Sequence, residues 1–294
     1  MRETWEEYVT RRRRLVDEAL RRIVGESVEW PKHLHRAMTY SLFPGGKRLR
    51  PILAIAAYEA VAEVPDLSDV LPAAAAIELL HTYSLIHDDL PQMDDSDTRR
   101  GRPTNHRVHG EALAVLAGDG LQAAAFRALT DRSLYPPAVD PAALLDAAHD
   151  VAVAAGEEGM VGGQSMDLGY EGDIRSVEPL SFLFAKKTGG IIRAAVRVGA
   201  RLGGATPETL ADLSIYGDRI GLAFQVTDDM IDEGEVDSTA SPSPVPSMVE
   251  LIGIKGCREW VDRAVQDALK ALENLDERAE RLREIARWIP TRKE

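Results

Sequence analysis

Apolar residues recur every three or four positions through the first thirty residues, at Trp5, Tyr8, Val9, Leu15, Val16, Leu20, Ile23 and Val24, with arginines and glutamates between them. That period lays side chains along one stripe of a helix, so an amphipathic helix is predicted. From Ile52 to Val61 nearly every residue is apolar, which predicts a helix buried on most sides. Pro65 and Pro72 bracket a loop, and Ala73 begins a helix that runs into a group of aspartates. Further helices are predicted over 119–128 and 142–159, separated by a loop at Pro136, Pro137 and Pro141, and another starts at Thr206 and Pro207 and reaches Phe224 and Gln225. The segment 233–247, EGEVDSTASPSPVPS, is rich in Ser and Pro and is predicted to be irregular. A helical tail resumes with Leu251 and continues to Trp288. No alternating strand pattern, internal repeat or glycine-rich dinucleotide fingerprint occurs. The chain reads as all-α and as a single domain over 1–294, because no linker separates its charged motifs.

Composition sharpens this picture. Hydrophobic residues make up 45% and aromatics only 5%, a balance that favours helices. A formal net charge of -13 argues against nucleic acid as a partner, since a phosphate backbone calls for a basic surface. Arg11 to Arg14 are flanked by acidic residues and read as a solvated helix face. Cys257 is the sole cysteine, so no intramolecular disulfide forms, and it reads as a structural thiol in a reducing compartment. The N-terminus lacks a signal-type apolar core, and the most apolar window, 70–80, is too short to span a bilayer. A cytoplasmic protein without a membrane span is expected.

The candidate chemistry lies in HTYSLIHDDLPQMDDSDTRRGRPTNH, residues 81–106. Carboxylates crowded as Asp88, Asp89, Asp94, Asp95 and Asp97 are repel one another unless solvent screens them or divalent cations sit between them. Arg99, Arg100 and Arg102 follow and supply guanidinium forks, so the pair of features points to a polyanion such as a diphosphate, held partly through metal. A solvated charged face has the same composition; a second cluster downstream, Asp228, Asp229 and Asp232, separates the two readings. An EF-hand is excluded, because from Asp95 onward Arg99 and Arg100 occupy ligand and glycine places.

Spacing adds geometry. Asp88 and Asp94 are six residues apart and would diverge on an unbroken helix, so the chain must break at Pro91 for them to converge. Asp228 and Asp232 stand one helical turn apart on one face. In FPGGKRLRP, Gly45 and Gly46 end one helix, and Lys47, Arg48 and Arg50 precede the next, where free N–H groups favour a phosphate. His81, Ser84 and Asp88 share a helix face, which makes His81 a hydrogen-bond donor candidate. Gln164 and Asp167 either line a cavity or cap a helix end. Lys186, Lys187 and Thr188 precede a glycine pair, as at a helix kink where a phosphate is met, though lysines in a helix are also commonly solvated.

Taken together, GGKRLRP, the 81–106 stretch, GGQSMDL, KKTGG and FQVTDD resemble, in order and approximate spacing, the trans-isoprenyl diphosphate synthases, head-to-tail prenyltransferases. The likeness runs from about residue 30 to 290 and is nearest to short-chain bacterial and plant enzymes making farnesyl or geranylgeranyl diphosphate. It implies a bundle of long helices around a deep central cavity, usually as a homodimer. It implies that Asp88, Asp94 and Asp228, supported by Asp89 and Asp232, hold three Mg²⁺ for the allylic diphosphate, and that Lys47, Arg50, His81 and Arg100 hold isopentenyl diphosphate without metal. Arg99, Lys187, Thr188 and Gln225 would contact the allylic diphosphate; Gln164 joins the substrate-binding set and Asp229 the catalytic one. The reaction implied is ionisation, condensation and elimination, with farnesyl diphosphate as product. Tyr83 and Ser84, roughly 6 to 7.5 Å before Asp88 along the helix, would set chain length, an aromatic at Tyr83 closing the cavity.

One departure is visible: the family's lysine after the second aspartate motif has no counterpart between Lys187 and Lys255. The alternatives are therefore a geranyl or geranylgeranyl diphosphate synthase, a class I terpene synthase-like enzyme, and a weakly active or regulatory prenyltransferase subunit. GGKRLRP, a second diphosphate seat, argues against the cyclase.

Overall fold

A computed structural model describes residues 3–25, 31–233 and 245–292. The irregular segment expected over 233–247 lies, from 234 to 244, outside the described residues. Contacts divide the chain into two compact units, Met1–Ile55 with Asp66–Ala148, and Ala56–Pro65 with His149–Glu294.

The helices in chain order are α1 (Trp5–Val24), α2 (Lys32–Leu42), α3 (Leu49–Val61), α4 (Leu71–Asp88), α5 (Asn105–His109), α6 (Glu111–Thr130), α7 (Pro141–Ala155), α8 (Met160–Asp167), α9 (Val177–Phe184), α10 (Gly190–Leu202), α11 (Pro207–Asp232), α12 (Met248–Lys270) and α13 (Glu280–Trp288). The all-α expectation holds. α3 and α7 each contribute residues to both units.

In the first unit, α1 starts in a reciprocal cap: the Thr4 side chain accepts from Glu7 N–H while Glu7 accepts from Thr4 N–H. Its buried stripe is Tyr8, Arg12, Val16, Leu20 and Ile23, within the predicted pattern except for Arg12, whose guanidinium lies 4.7 Å from the Tyr8 ring centroid. α4 is buried along most of its length and packs most extensively on α6. The small residues of α6 make that contact close; a Cβ on Gly118 would lie 2.1 Å from His87 Nε2. Among the described residues α6 alone is long and apolar enough to cross a membrane by length and composition, and its Ala114, Ala117, Gly118, Leu121 and Ala125 are core.

A two-residue hairpin, β1 (Thr98–Arg99) against β2 (Arg102–Pro103), pairs Thr98 with Pro103 and Arg99 with Arg102. Strands this short leave no alternation to read. Both turn residues, Arg100 and Gly101, have positive φ (53° and 70°), the backbone a tight two-residue hairpin turn demands.

In the second unit α10, α11 and α12 form the main packing. Thr206 caps α11, with Pro207 at its first position, as predicted. Gly221 lets α11 approach closely, since a Cβ there would meet Gly189 Cα at 2.6 Å. The buried Tyr216 hydroxyl donates to the Leu282 carbonyl at 2.7 Å and ties α11 to α13. Asp150 accepts from Arg197 at 3.0 Å and from Arg201 at 2.6 Å, joining α7 to α10.

Several boundaries differ from the sequence reading. α6 starts at Glu111 rather than 119, α7 runs from Pro141 to Ala155 rather than over 142–159, and the tail resumes at Met248 rather than Leu251. Pro141 opens a helix because its missing N–H costs nothing there.

Candidate active site

Within the first unit the break at Pro91 is realised. α4 stops at Asp88, Asp94 N–H donates to the Asp88 carbonyl at 2.9 Å, and Asp95 N–H donates to Leu90 at 3.1 Å. The chain thereby folds back and carries Asp94 to the helix end that bears Asp88. Asp89 is 3% exposed and clasped by Arg99, whose Nε lies 2.8 and 3.0 Å from its two oxygens, with Nη2 at 2.7 Å. That fork fixes Asp89 as the partner of Arg99, while Asp88 is half-buried and Asp94 exposed.

Lys47, Arg50, His81 and Arg100, four residues from two motifs, belong to this same unit, and the contacts bring the motifs together. Arg100 Nη1 donates to the Gly45 carbonyl at 2.8 Å. Gly46 leaves room for it, since a Cβ there would meet that nitrogen at 2.9 Å. Arg50 Nη1 stands 3.4 Å from His81 Nε2. Burial, and after it the charges of Arg50, Arg100, Arg99 and Arg48, hold the His81 pKa well below its ordinary 6.5. The imidazole is therefore neutral, with Nε2 facing a donor and Nδ1 left to carry the proton. Lys47, which follows Gly46 in the chain, is exposed.

Arg48 corrects the three-cation seat read from GGKRLRP. It is 3% exposed and turned inward, donating to Glu78 at 2.6 Å, to Asp17 at 3.0 Å and to the Leu42 carbonyl at 2.7 Å. Its charge is spent on the core. Arg48 (φ 52°), Asp95 (φ 46°) and Arg100 are the non-glycine residues of positive φ among those described. All three lie in the charged motifs, where costly backbone is held in place by surrounding contacts.

In the second unit a π-helical turn, Ala185–Gly189, interrupts the run from α9 to α10 at the predicted kink. It presents Lys187 and Thr188. Lys187 Nζ is 2.5 Å from Asp167 Oδ2, so Asp167 pairs with a cation. Thr188 donates to Gln225 Oε1 at 2.8 Å, and Gln225 Nε2 donates to Asp229 at 3.2 Å. Gly163 permits the approach of α8: a Cβ there would stand 2.4 Å from Lys187 N. The Gln164 amide is buried, with no hydrogen-bond partner for either its oxygen or its nitrogen among the described residues.

Asp228, half-buried, pairs with Arg292 at 2.7 Å, and Asp232, one turn on, is exposed. Asp229 accepts from Met248 N–H at 2.7 Å. Burial pushes its pKa up to about 6, against the lowering effect of the Met248 and Gln225 hydrogen bonds. Its carboxyl is thus engaged by the protein. Tyr83 is 5% exposed, its ring set edge-on to His87 with centroids 5.6 Å apart. Burial and then the Asp88 charge raise its hydroxyl pKa, which the Gln122 amide moderates. Ser84 donates to the His81 carbonyl at 2.9 Å.

Among the described residues no three carboxylate, imidazole or thiol groups converge as a ready-made metal cage. Magnesium does not need one: it keeps several waters and is held by one or two carboxylates together with substrate phosphates. Hard oxygen donors suit that mode of binding in each unit by itself, Asp88 and Asp94 in the first and Asp228 and Asp232 in the second.

Sequence reasoning missed Glu78, Asp17 and Arg292. Glu78 carried a sign: it is the only charge in an otherwise apolar run from 73 to 80, and a lone buried charge needs a partner. Nothing local marked Arg292.

The polyprenyl synthetase family model matches residues 31–239. Farnesyl diphosphate synthase of Geobacillus stearothermophilus is 39% identical over 278 residues, 92% of each chain. Geranylgeranyl pyrophosphate synthase 7 of Arabidopsis thaliana is 39% identical over 97% of this chain and 83% of its own. Among solved structures, an FPP/GFPP synthase from Zymomonas mobilis superposes with a TM-score of 0.83 at 36% identity, covering 97% of both chains. A geranyltransferase from Legionella pneumophila gives 0.85 at 32% identity, covering 98% of this chain and 97% of its own. With a match over most of its length and the family's charged motifs in their order, the chain belongs to the polyprenyl synthetase family.

Proposed function

We propose that this protein is a short-chain trans-prenyltransferase that joins isopentenyl diphosphate to an allylic diphosphate, with farnesyl diphosphate as product and geranylgeranyl diphosphate as the alternative. The observation that carries the reading is the grouping of Lys47, Arg50, neutral His81 and Arg100 within the first unit. Cations and a neutral donor gathered from two motifs suit a diphosphate bound without metal. A cyclase, which ionises a single substrate, has no use for such a seat.

Asp88, Asp94 and Asp228, with Asp89 and Asp232 in support, are the carboxylates for three Mg²⁺. When bound, these ions neutralise the charge that grows on a departing diphosphate. Arg99, Lys187, Thr188, Gln225 and Gln164 contact the allylic diphosphate, and the fixed cations among them stabilise the same charge without reorganising. The allylic C–O bond breaks with its electrons leaving on diphosphate. The isopentenyl double bond supplies the pair for the new C–C bond, and a proton lost from the condensed product passes to the released diphosphate. No side-chain nucleophile takes part. Asp229, bonded to Met248 N–H and Gln225, holds Gln225 in place. Tyr83 and Ser84 limit the chain length. The protein works in the cytoplasm as a homodimer; the exposed apolar residues Val115 and Leu116 of α6, 40% and 53% accessible, suit a face covered by a second copy.

The test is purified protein with Mg²⁺, isopentenyl diphosphate and dimethylallyl diphosphate, with products separated by chromatography. A C15 diphosphate is expected. Absence of any prenyl product sinks the proposal in favour of a regulatory subunit, and a cyclic hydrocarbon from farnesyl diphosphate alone would make it a cyclase.

A further inference from the structure

The second aspartate motif holds a cation of the protein's own. Arg292 follows the short 3₁₀ turn Ile289–Thr291 after α13. Its Nη2 lies 2.7 Å from Asp228 Oδ1 and 2.6 Å from the Phe224 carbonyl, and its guanidinium carbon stands 3.9 Å from the Phe224 ring centroid. The side chain is 2% exposed, whereas that of Asp228 is 33% exposed. Ile231, Val261 and Pro290, with Arg258 and Asp262, line the adjoining cavity with it. An arginine stays charged at any working pH. Three contacts and near-complete burial pin this one, so Asp228 is neutralised before any ligand arrives.

We propose that Arg292 is a built-in counter-ion of Asp228 that makes metal loading at the second motif conditional on a diphosphate. A divalent cation coming alone to Asp228 meets a carboxylate whose charge is already balanced by a guanidinium held by Asp228, the Phe224 carbonyl and the Phe224 ring. A cation that arrives with a diphosphate brings its own excess of negative charge, and the same guanidinium then attracts the pair. Asp229 does not replace Asp228 here, since Met248 N–H and Gln225 engage it. Asp232 remains as the exposed carboxylate one turn away. The inference rests on the reading of Asp228 as a metal ligand, and the experiment separates the two.

Metal-stripped protein is titrated with Mn²⁺, free Mn²⁺ being read by electron paramagnetic resonance, with and without inorganic diphosphate. Arg292→Gln, Arg292→Met, Arg292→Lys and Asp228→Asn are compared with the parent, each checked for fold by circular dichroism. Without diphosphate, Arg292→Gln should tighten the Asp228-dependent binding by about tenfold, the scale of a unit charge against a divalent ion at about 5 Å in a solvent-like dielectric. Arg292→Met, which keeps an apolar stem on Phe224, should do the same, and Arg292→Lys should stay within about twofold. In both neutral variants the gain from added diphosphate should shrink. Unchanged or weaker Mn²⁺ binding in Arg292→Gln and Arg292→Met, with Asp228→Asn still losing a site, overturns the counter-ion. Equal binding by parent and Asp228→Asn, with or without diphosphate, overturns the metal-ligand reading and the counter-ion together.

Discussion

Replacing Glu78 by Gln tests whether a buried ion pair shapes the first half of the active site. Arg48 and Glu78 side chains are 1% and 3% exposed and 2.6 Å apart, so solvent screening takes nothing from the interaction. Breaking a buried pair by removing one partner costs about 3–5 kcal/mol, since the remaining charge stays desolvated. Here Arg48 keeps Asp17, 29% exposed, and the Leu42 carbonyl, which places the loss near about 3 kcal/mol. At about 2–4 °C per kcal/mol for a chain of this class, melting should fall by roughly 6 to 12 °C. Urea unfolding should report the same loss as a lower midpoint at constant slope. Arg48 has φ 52° directly after Lys47, so loosening it should raise KM for isopentenyl diphosphate more than KM for the allylic substrate. The double variant Arg48→Met with Glu78→Leu removes both charges and should be more stable than the two single losses added together, by about 1 kcal/mol or more. A loss below about 1 kcal/mol in Glu78→Gln, or strict additivity in the cycle, refutes this account.

Three further outcomes follow from the same geometry. Gly163→Ala places a Cβ 2.4 Å from Lys187 N and 2.6 Å from its Cα; backbone cannot swing aside, so a stability loss of about 1–3 kcal/mol with a raised allylic KM is expected, and an unaltered KM contradicts it. His81 is held neutral in the folded protein, with its pKa well below the unfolded value of 6.5. Its contribution to stability is full above that value and is lost as pH falls through the folded pKa, so unfolding free energy should drop from pH 7 to 5 more steeply in the parent than in His81→Gln; parallel profiles would contradict this. Tyr83→Ala should lengthen the product beyond C15 while costing about 3 kcal/mol for a buried ring; gas chromatography of the dephosphorylated products showing the parent distribution would remove Tyr83 from that role.

Legible along the chain were the helical class, the amphipathic first helix, the break at Pro91, the kink at Lys187–Gly189 and the start of α11 at Thr206–Pro207. Each rests on a local rule: apolar period, proline sterics, glycine freedom or a side-chain cap. The motifs were legible too, because charge density and spacing are written along the chain. Which charges are spent on the fold emerges only once distant segments are packed together. Arg48 and Arg50 stand two positions apart in one motif, yet one is buried against Glu78 and Asp17 and the other faces His81. Asp228 and Asp229 are adjacent, yet one meets Arg292 and the other a backbone N–H at Met248. Partners so far apart along the chain leave no periodicity to read, and whether a charge serves the core or a ligand depends on which of them folding brings within hydrogen-bond reach.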